Sequence, residues 1–209
     1  MLGASPAWRV EAGDVELFGI AGLRVDGVRT SARVGSFLAG ASIAQLASPV
    51  GNESRAELEL GYRAGARWLC RARAGVETVA ITGAAGERAV LAGFYSCAEV
   101  GRIAAIADVD VVSRDHVRDV EVAIALAGRA GPVSIVATSR FDGDTVAAAG
   151  IAVASRLSGR LALVAGYDDG TESIRGAALV SLSSWQLGVG VFQHAVLGVS
   201  QGVTLSWWH

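Results

Sequence analysis

Charged residues that alternate with apolar residues are the side chains of this sequence with the clearest chemical role. In Arg55–Arg63 (RAELELGYR), the charged residues occupy one face of an extended chain and the apolar residues occupy the other. The same alternation recurs in neighbouring segments and brings opposite charges to one polar face, where they must be paired or hydrated. The residues expected on this face are Arg33, Arg55, Glu57, Glu59, Arg63, Arg71, Arg73, Glu77, Asp108, Asp110, Asp119 and Glu121. They predict either charge ladders that order water and ions and select anions, or mutual neutralisation that closes the space between them.

Catalytic and metal-binding chemistry is not indicated. The histidines His116, His194 and His209 lack metal-ligand spacing with one another or with the cysteines. Asp115 and His116 follow Ser113 within one short segment, whereas a catalytic serine–histidine pair needs side chains that the fold brings together. We therefore predict no enzyme activity and no cofactor or metal. The formal net charge of −2 gives no support for nucleic-acid binding.

The cysteines Cys70 and Cys97 lie in two adjacent extended segments. If Gly83 and Ala84 form a two-residue turn, the two cysteines face each other across a hairpin at a separation that suits a disulfide. A three-residue loop shifts the pairing and leaves two free thiols on an apolar face. Both outcomes remain open at this point.

The elements that position these residues are predicted to be β-strands, since hydrophobicity repeats with a period of two along most of the chain. The pattern gives about fourteen segments near the length of a tilted membrane strand, with twelve as the alternative count. The first strand is expected near Val15–Ile20, with a hairpin turn at Val25–Val28. Short gaps favour an all-β antiparallel meander. We expect residues 1–13 to form an N-terminal segment and residues 14–209 to form a closed transmembrane β-barrel.

Composition helps to separate a membrane barrel from a soluble β-sandwich. Mean hydropathy is +0.43, yet no stretch reaches the roughly 18 apolar residues of a spanning helix. Tyr62, Trp68, Trp185 and Trp207 fall near predicted strand ends, as aromatic residues do at membrane interfaces. Longer acidic connections after odd-numbered strands, and shorter turns after even-numbered ones, favour a periplasmic N-terminus. A soluble exported β-sandwich remains the alternative.

The last segment, Ser200–His209, has the pattern of a terminal barrel strand. Its residues alternate, and Gly202, Leu205 and Trp207 have the spacing of the C-terminal signal that the outer-membrane insertion machinery recognises. In a closed barrel this strand must pair with the first one, which is the most specific structural prediction that the sequence makes.

Two short segments carry a resemblance to a known family. Leu60–Arg63 and His194–Ser200 (HAVLGVS) resemble parts of the FadL-like outer-membrane barrels, particularly the PorV/PorQ-type group associated with type IX secretion. Ala195 stands where proline is common in that group, and no N-terminal hatch is evident. The resemblance implies a location in the bacterial outer membrane and a scaffold or accessory role for partner proteins there. A passive channel or transporter for small or hydrophobic solutes is the alternative. The expected partners are outer-membrane lipid, the outer-membrane insertion machinery and other envelope proteins.

Overall fold

Alternation with period two produces a closed antiparallel barrel of fourteen strands, which confirms the predicted all-β meander. The computed structural model describes residues 8–17, 23–83, 86–114, 117–142 and 145–209. The strands are β1 Trp8–Glu16, β2 Arg24–Val34, β3 Phe37–Ser48, β4 Gly51–Ala64, β5 Trp68–Ile81, β6 Glu87–Val100, β7 Ile103–Arg114, β8 Val117–Ala130, β9 Val133–Asp142, β10 Thr145–Arg156, β11 Leu161–Asp168, β12 Ser173–Leu182, β13 Trp185–His194 and β14 Gly198–Trp208. Among the described residues, no helix has the length and hydropathy needed to cross a membrane.

The last strand closes the barrel on the first, as predicted. In this ladder Val15 pairs with Gly202, and Val10 pairs with Trp207. The first strand begins at Trp8, earlier than the predicted start near Val15 and the predicted boundary at residue 14. Residues 18–20, which complete the predicted first strand, lie outside the described residues. Every strand therefore has two partners, so the barrel has no unpaired edge.

The predicted hairpin turn at Val25–Val28 is wrong. These residues lie inside β2 and pair with Val15 to Ala12 of β1. The Asp26–Gly27 dipeptide favours a turn locally, but the ladder runs through it, with Gly27 opposite Gly13. Strand β1 ends at Glu16 and β2 begins at Arg24, so the predicted turn residues belong to the ladder.

The strands are staggered as well as closed. Following the registers once around the barrel displaces the starting point by about 14 residues along β1, and a stagger of this size tilts the strands relative to the barrel axis. Because of this tilt, the fourteen short strands form one closed wall around a lumen and not two packed sheets. The closed wall rules out the alternative of a β-sandwich.

The two faces of the wall differ in polarity. The outward face is covered by exposed apolar side chains such as Leu58, Leu60 and Val76, whereas the charged residues of the same strands face inward. A soluble barrel has the opposite arrangement, so this polarity is that of a barrel immersed in lipid.

Aromatic side chains mark one end of the barrel. We call this end the terminal rim: it holds the start of β1, the end of β14 and the turns at 35–36, 65–67, 101–102, 131–132, 157–160 and 183–184. The outward aromatic residues near it are Trp8, Phe37, Tyr62, Trp68, Trp185 and Trp207. Some are in ring contact, with centroids 5.4 Å apart for Trp8 and Trp207 and 5.4 Å for Phe37 and Tyr62. Such a girdle suits a membrane–water interface.

Candidate functional site

The inner face of the barrel carries the candidate site. The registers place all the sequence-predicted polar-face residues on it: Arg33 on β2, Arg55, Glu57, Glu59 and Arg63 on β4, Arg71, Arg73 and Glu77 on β5, Asp108 and Asp110 on β7, and Asp119 and Glu121 on β8. All these strands lie between β2 and β8 in the barrel order, so the charged residues occupy one continuous region of the wall. We call this region, β1–β9, the charged half of the lumen.

Ion pairs in the charged half reach across an intervening strand. Arg73 of β5 binds both Asp108 and Asp110 of β7, with its Nη2 2.9 Å from the Oδ1 of Asp108 and its Nε 2.8 Å from the Oδ1 of Asp110. Between them, Gly93 of β6 is the direct register partner of both Arg73 and Asp110. A side chain at position 93 would occupy the path of this ion pair. The glycine therefore allows the charges to meet over the middle strand.

A second bridge across β6 uses the same arrangement. Glu77 of β5 forms an ion pair with Arg114 of β7, and the residue between them in the ladder is Ala89. The Glu77 side chain is 5% exposed, so its charge is balanced by the guanidinium rather than by water. A small residue on β6 is common to both bridges.

The third group of charges links β2, β4 and β5. Glu59 accepts from Arg29 at 2.6 Å and from Arg71 at 3.2 Å, so one carboxylate holds two guanidiniums. Arg71 also lies over the ring of Tyr95, 5.2 Å from its centroid. These contacts fix side chains along the wall and keep them from extending freely into the lumen.

We expect that replacing Gly93 with Val will separate Arg73 from Asp110. A Cβ atom at position 93 would overlap the Oδ1 of Asp110 and the Nε of Arg73. The expected loss in unfolding free energy is about 1–3 kcal/mol, the usual cost of inserting atoms into an occupied space. Denaturant titration in lipid vesicles measures it. The matched control is Ala92→Val, because Ala92 is the next residue and faces outward; equal losses at both positions would contradict the bridging role of Gly93.

A further charged cluster was not predicted from the sequence. Asp168, at the end of β11, binds Arg140 at 2.8 Å and Arg175 at 3.2 Å, and its Oδ1 accepts from the backbone N–H of Thr171 at 3.2 Å. Arg140 reaches Asp168 from β9 over β10, where Gly150 pairs with Asp168. The sequence signal that could have identified this cluster is the one shared by the two bridges across β6: an arginine and a carboxylate two strands apart, with a small residue on the strand between them.

The remaining wall, β10–β14, has a different lining. Its inward residues are mostly small, such as Ala152, Ala177, Gly188, Gly190 and Gly202. A cavity of about 300 Å³ lies along this small-residue half, and it is bounded by Val15, Val164, Ala177, Leu179, Phe192 and neighbouring glycines. The lumen thus has one half with many charged residues and one half with mostly small residues, whose inward charges are Arg156 and the ion-paired Asp168 and Arg175.

Cys70 and Cys97 are not joined by a disulfide, so of the two outcomes that the sequence leaves open the structure shows free thiols. Leu69 pairs with Cys97, and Cys70 pairs with Ser96, which places the two cysteines on opposite faces of the wall. Both are free, and Cys97 is buried on the inner side. The hairpin connection is longer than the two-residue turn that the disulfide requires, and a one-residue shift of register reverses the facing of every side chain.

Metal binding gains no support from the described part of the chain, in which no group of three or more His, Cys, Asp or Glu side chains converges. His194 instead accepts hydrogen bonds through its Nδ1 from the backbone N–H groups of Val196 and Leu197, at 3.0 and 3.1 Å. This histidine shapes the turn before the last strand.

Comparisons with known proteins agree with the architecture. No model of a known protein family matches the chain, and no curated protein matches it. Among solved structures it is similar to the toluene transporter TodX of P. putida (TM-score 0.69, 10% identity, 99% of this chain and 91% of that one). It is also similar to the toluene transporter TbuX of Ralstonia pickettii (0.67, 8% identity, 100% and 91%) and to the KdgM porin (0.57, 9% identity, 96% and 99%).

These similarities define the class of protein. The chain has the fold of bacterial outer-membrane β-barrels, including FadL-like transporters, and its apolar exterior is consistent with that location. At such low identity the similarity concerns the fold. The finer resemblance to the PorV/PorQ-type group is not supported by the comparisons.

Proposed function

We propose that this chain is an outer-membrane channel through which small solutes pass along the barrel lumen. The observation that carries the proposal is the lining of β10–β14, where small inward side chains leave the lumen unfilled on one side. Every strand among the described residues belongs to the wall, so no described strand occupies the interior. A barrel of fourteen strands is wide enough to need filling if it is to be closed.

The two halves of the lumen suggest which solutes fit. Charges on the charged half are largely held by one another, as for Arg73 with Asp108 and Asp110, and their remaining hydrogen-bonding capacity supports a file of water and polar solutes. The cavity on the small-residue half provides apolar surface. This combination suits small amphipathic molecules better than bulk ions alone.

The similar structures favour a channel over a scaffold. Their names describe a porin and two toluene transporters. The scaffold role, which the sequence resemblance implied, draws support from the short connections at both rims, such as 35–36, 49–50 and 101–102. Short connections leave a smooth surface on which a partner could dock, and this remains the second candidate.

Conductance in planar bilayers tests the channel directly. We expect the purified protein to give stable single-channel steps. Gly190→Trp should lower the step size because position 190 faces the lumen and a Cβ there meets nothing closer than 3.7 Å. The matched control is Val189→Trp on the outward face, which should leave the step unchanged. A protein that shows heat-modifiable migration, and is therefore folded, but gives no steps would contradict the channel and favour the scaffold.

A further inference from the structure

Arginine side chains without a carboxylate partner gather at the terminal rim. In the described part of the chain, no carboxylate lies within ion-pair distance of Arg33, Arg67, Arg102, Arg156 or Arg160. Arg33 and Arg156 end the inner faces of β2 and β10, and the other three lie in turns of this rim. Arg9, Arg63 and Arg129 add further positive charge at the same level.

These arginines follow one another around the mouth of the barrel. Backbone hydrogen bonds join successive turns: Arg63 donates to Ser36 at 2.7 Å, Arg129 donates to Arg102 at 2.9 Å, and Arg156 donates to Pro132 at 3.0 Å. The guanidinium-bearing residues are therefore carried by a continuous, hydrogen-bonded ring of chain. We call this set the arginine ring.

The charge at the two ends of the lumen is opposite in sign. At the terminal rim, the acidic residues among the described ones are Glu11, which is paired with Arg9, and Glu99. The opposite rim carries many carboxylates, namely Glu53, Glu87, Asp119, Asp169 and Glu172. Three of its arginines, Arg114, Arg140 and Arg175, are paired with carboxylates, and Arg88 and Arg118 are exposed there. The barrel is thus positive at one mouth and acidic at the other.

We propose that the arginine ring is a binding site for multivalent phosphate-type anions at the terminal mouth. A guanidinium presents two parallel N–H donors that match the oxygens of a phosphate group. Neighbouring arginines on one mouth can bind successive phosphates of the same anion, whereas chloride only screens their charge. The transport consequence, block from one side, rests on the proposed channel function. Binding itself depends only on the folded barrel.

Inorganic tripolyphosphate is the probe. Added to one compartment of a bilayer that holds a single channel, it should block the current from the terminal-rim side at concentrations at least about tenfold lower than from the other side, because charge in a low-dielectric mouth concentrates counter-ions. The double variant Arg33→Gln/Arg156→Gln should raise the half-blocking concentration by about tenfold or more, since charge-assisted contacts are lost. The matched control Arg88→Gln/Arg118→Gln removes two exposed arginines at the opposite rim and should leave the block unchanged.

Calorimetric titration of the folded protein in detergent separates this proposal from the channel. Tripolyphosphate binding that the ring variant weakens, in a protein without conductance, would overturn the channel and keep the site. Conductance with equal block from both sides, or with the same affinity in the ring and control variants, would overturn the site and keep the channel. Repeating the titration in vesicles of anionic rather than zwitterionic phospholipid identifies the source of the anion. Weaker binding there shows that lipid headgroups occupy the ring, and unchanged binding shows that its anion comes from solution.

Discussion

Replacing Ile124 with Arg is expected to lower the free energy of unfolding in a lipid bilayer by about 2–4 kcal/mol, the cost of a cation at the lipid-facing midplane of a barrel. Ile124 lies in the middle of β8, where it pairs with Ala107 and Ser139, and its side chain is 48% exposed on the outward face. A guanidinium there would have to leave water and enter the hydrocarbon. Denaturant titration in vesicles, followed by the migration of unheated samples on a gel, measures the loss.

The neighbouring residue provides the control. Ala125 is one position further along β8, pairs with Ile106 and Thr138, and faces the lumen. Ala125→Arg introduces the same charge at nearly the same depth, but into a hydrated space, so we expect a loss within about 1 kcal/mol, as for substitutions of surface type. Equal losses at the two positions would contradict the assignment of the outer face to lipid.

Alternation was sufficient to predict the strands and to place the charged residues together on one face, whereas the assignment of that face to the lumen depended on composition and on the positions of the aromatic residues. A period of two assigns each residue to one of two faces, and the length of each run gives the strand. For Arg55–Arg63 the face of each residue and the extent of the strand are evident from the sequence, and the structure places these charges on the inner face of β4. The closed ladder between β1 and β14 followed from the need to leave no edge in the membrane.

Register and contacts between non-adjacent strands were not predictable in the same way. One residue in the loop between β5 and β6 decided whether Cys70 and Cys97 share a face, and alternation carries no information on loop length. The dipeptide Asp26–Gly27 gave a local turn signal that the long-range ladder overrode. The pair Arg140 and Asp168 was missed because it joins β9 to β11, and a pattern along one strand does not show which strand lies two places away.

The seam between the first and last strands is where an added side chain has the next largest expected effect. Gly202 faces the lumen on β14, opposite Val15 of β1. A Cβ atom at position 202 would lie 2.7 Å from the Cγ2 of Val15 and 2.9 Å from the carbonyl oxygen of Asp14. We expect Gly202→Val to force these strands apart and to lower the unfolding free energy by about 1–3 kcal/mol, as overpacking does.

Two variants test whether the loss of stability arises from steric overlap between β14 and β1. Gly190→Val is the matched control, because Gly190 is the register partner of Gly202 on β13 and faces the same lumen with no atom closer than 3.7 Å to its added Cβ. Val15→Ala combined with Gly202→Val should recover part of the loss, since Val15→Ala removes both γ-methyl groups of Val15 but leaves the contact with the Asp14 carbonyl. Refolding the purified protein into vesicles, with no other protein present, is the decisive setting. The steric effect of Gly202→Val must appear in these vesicles, because it depends only on the chain itself. An effect through recognition of Gly202, Leu205 and Trp207 by the insertion machinery can appear only in cells. A variant that refolds normally but fails to reach the membrane in cells would show that Gly202 acts through that signal and not through the seam.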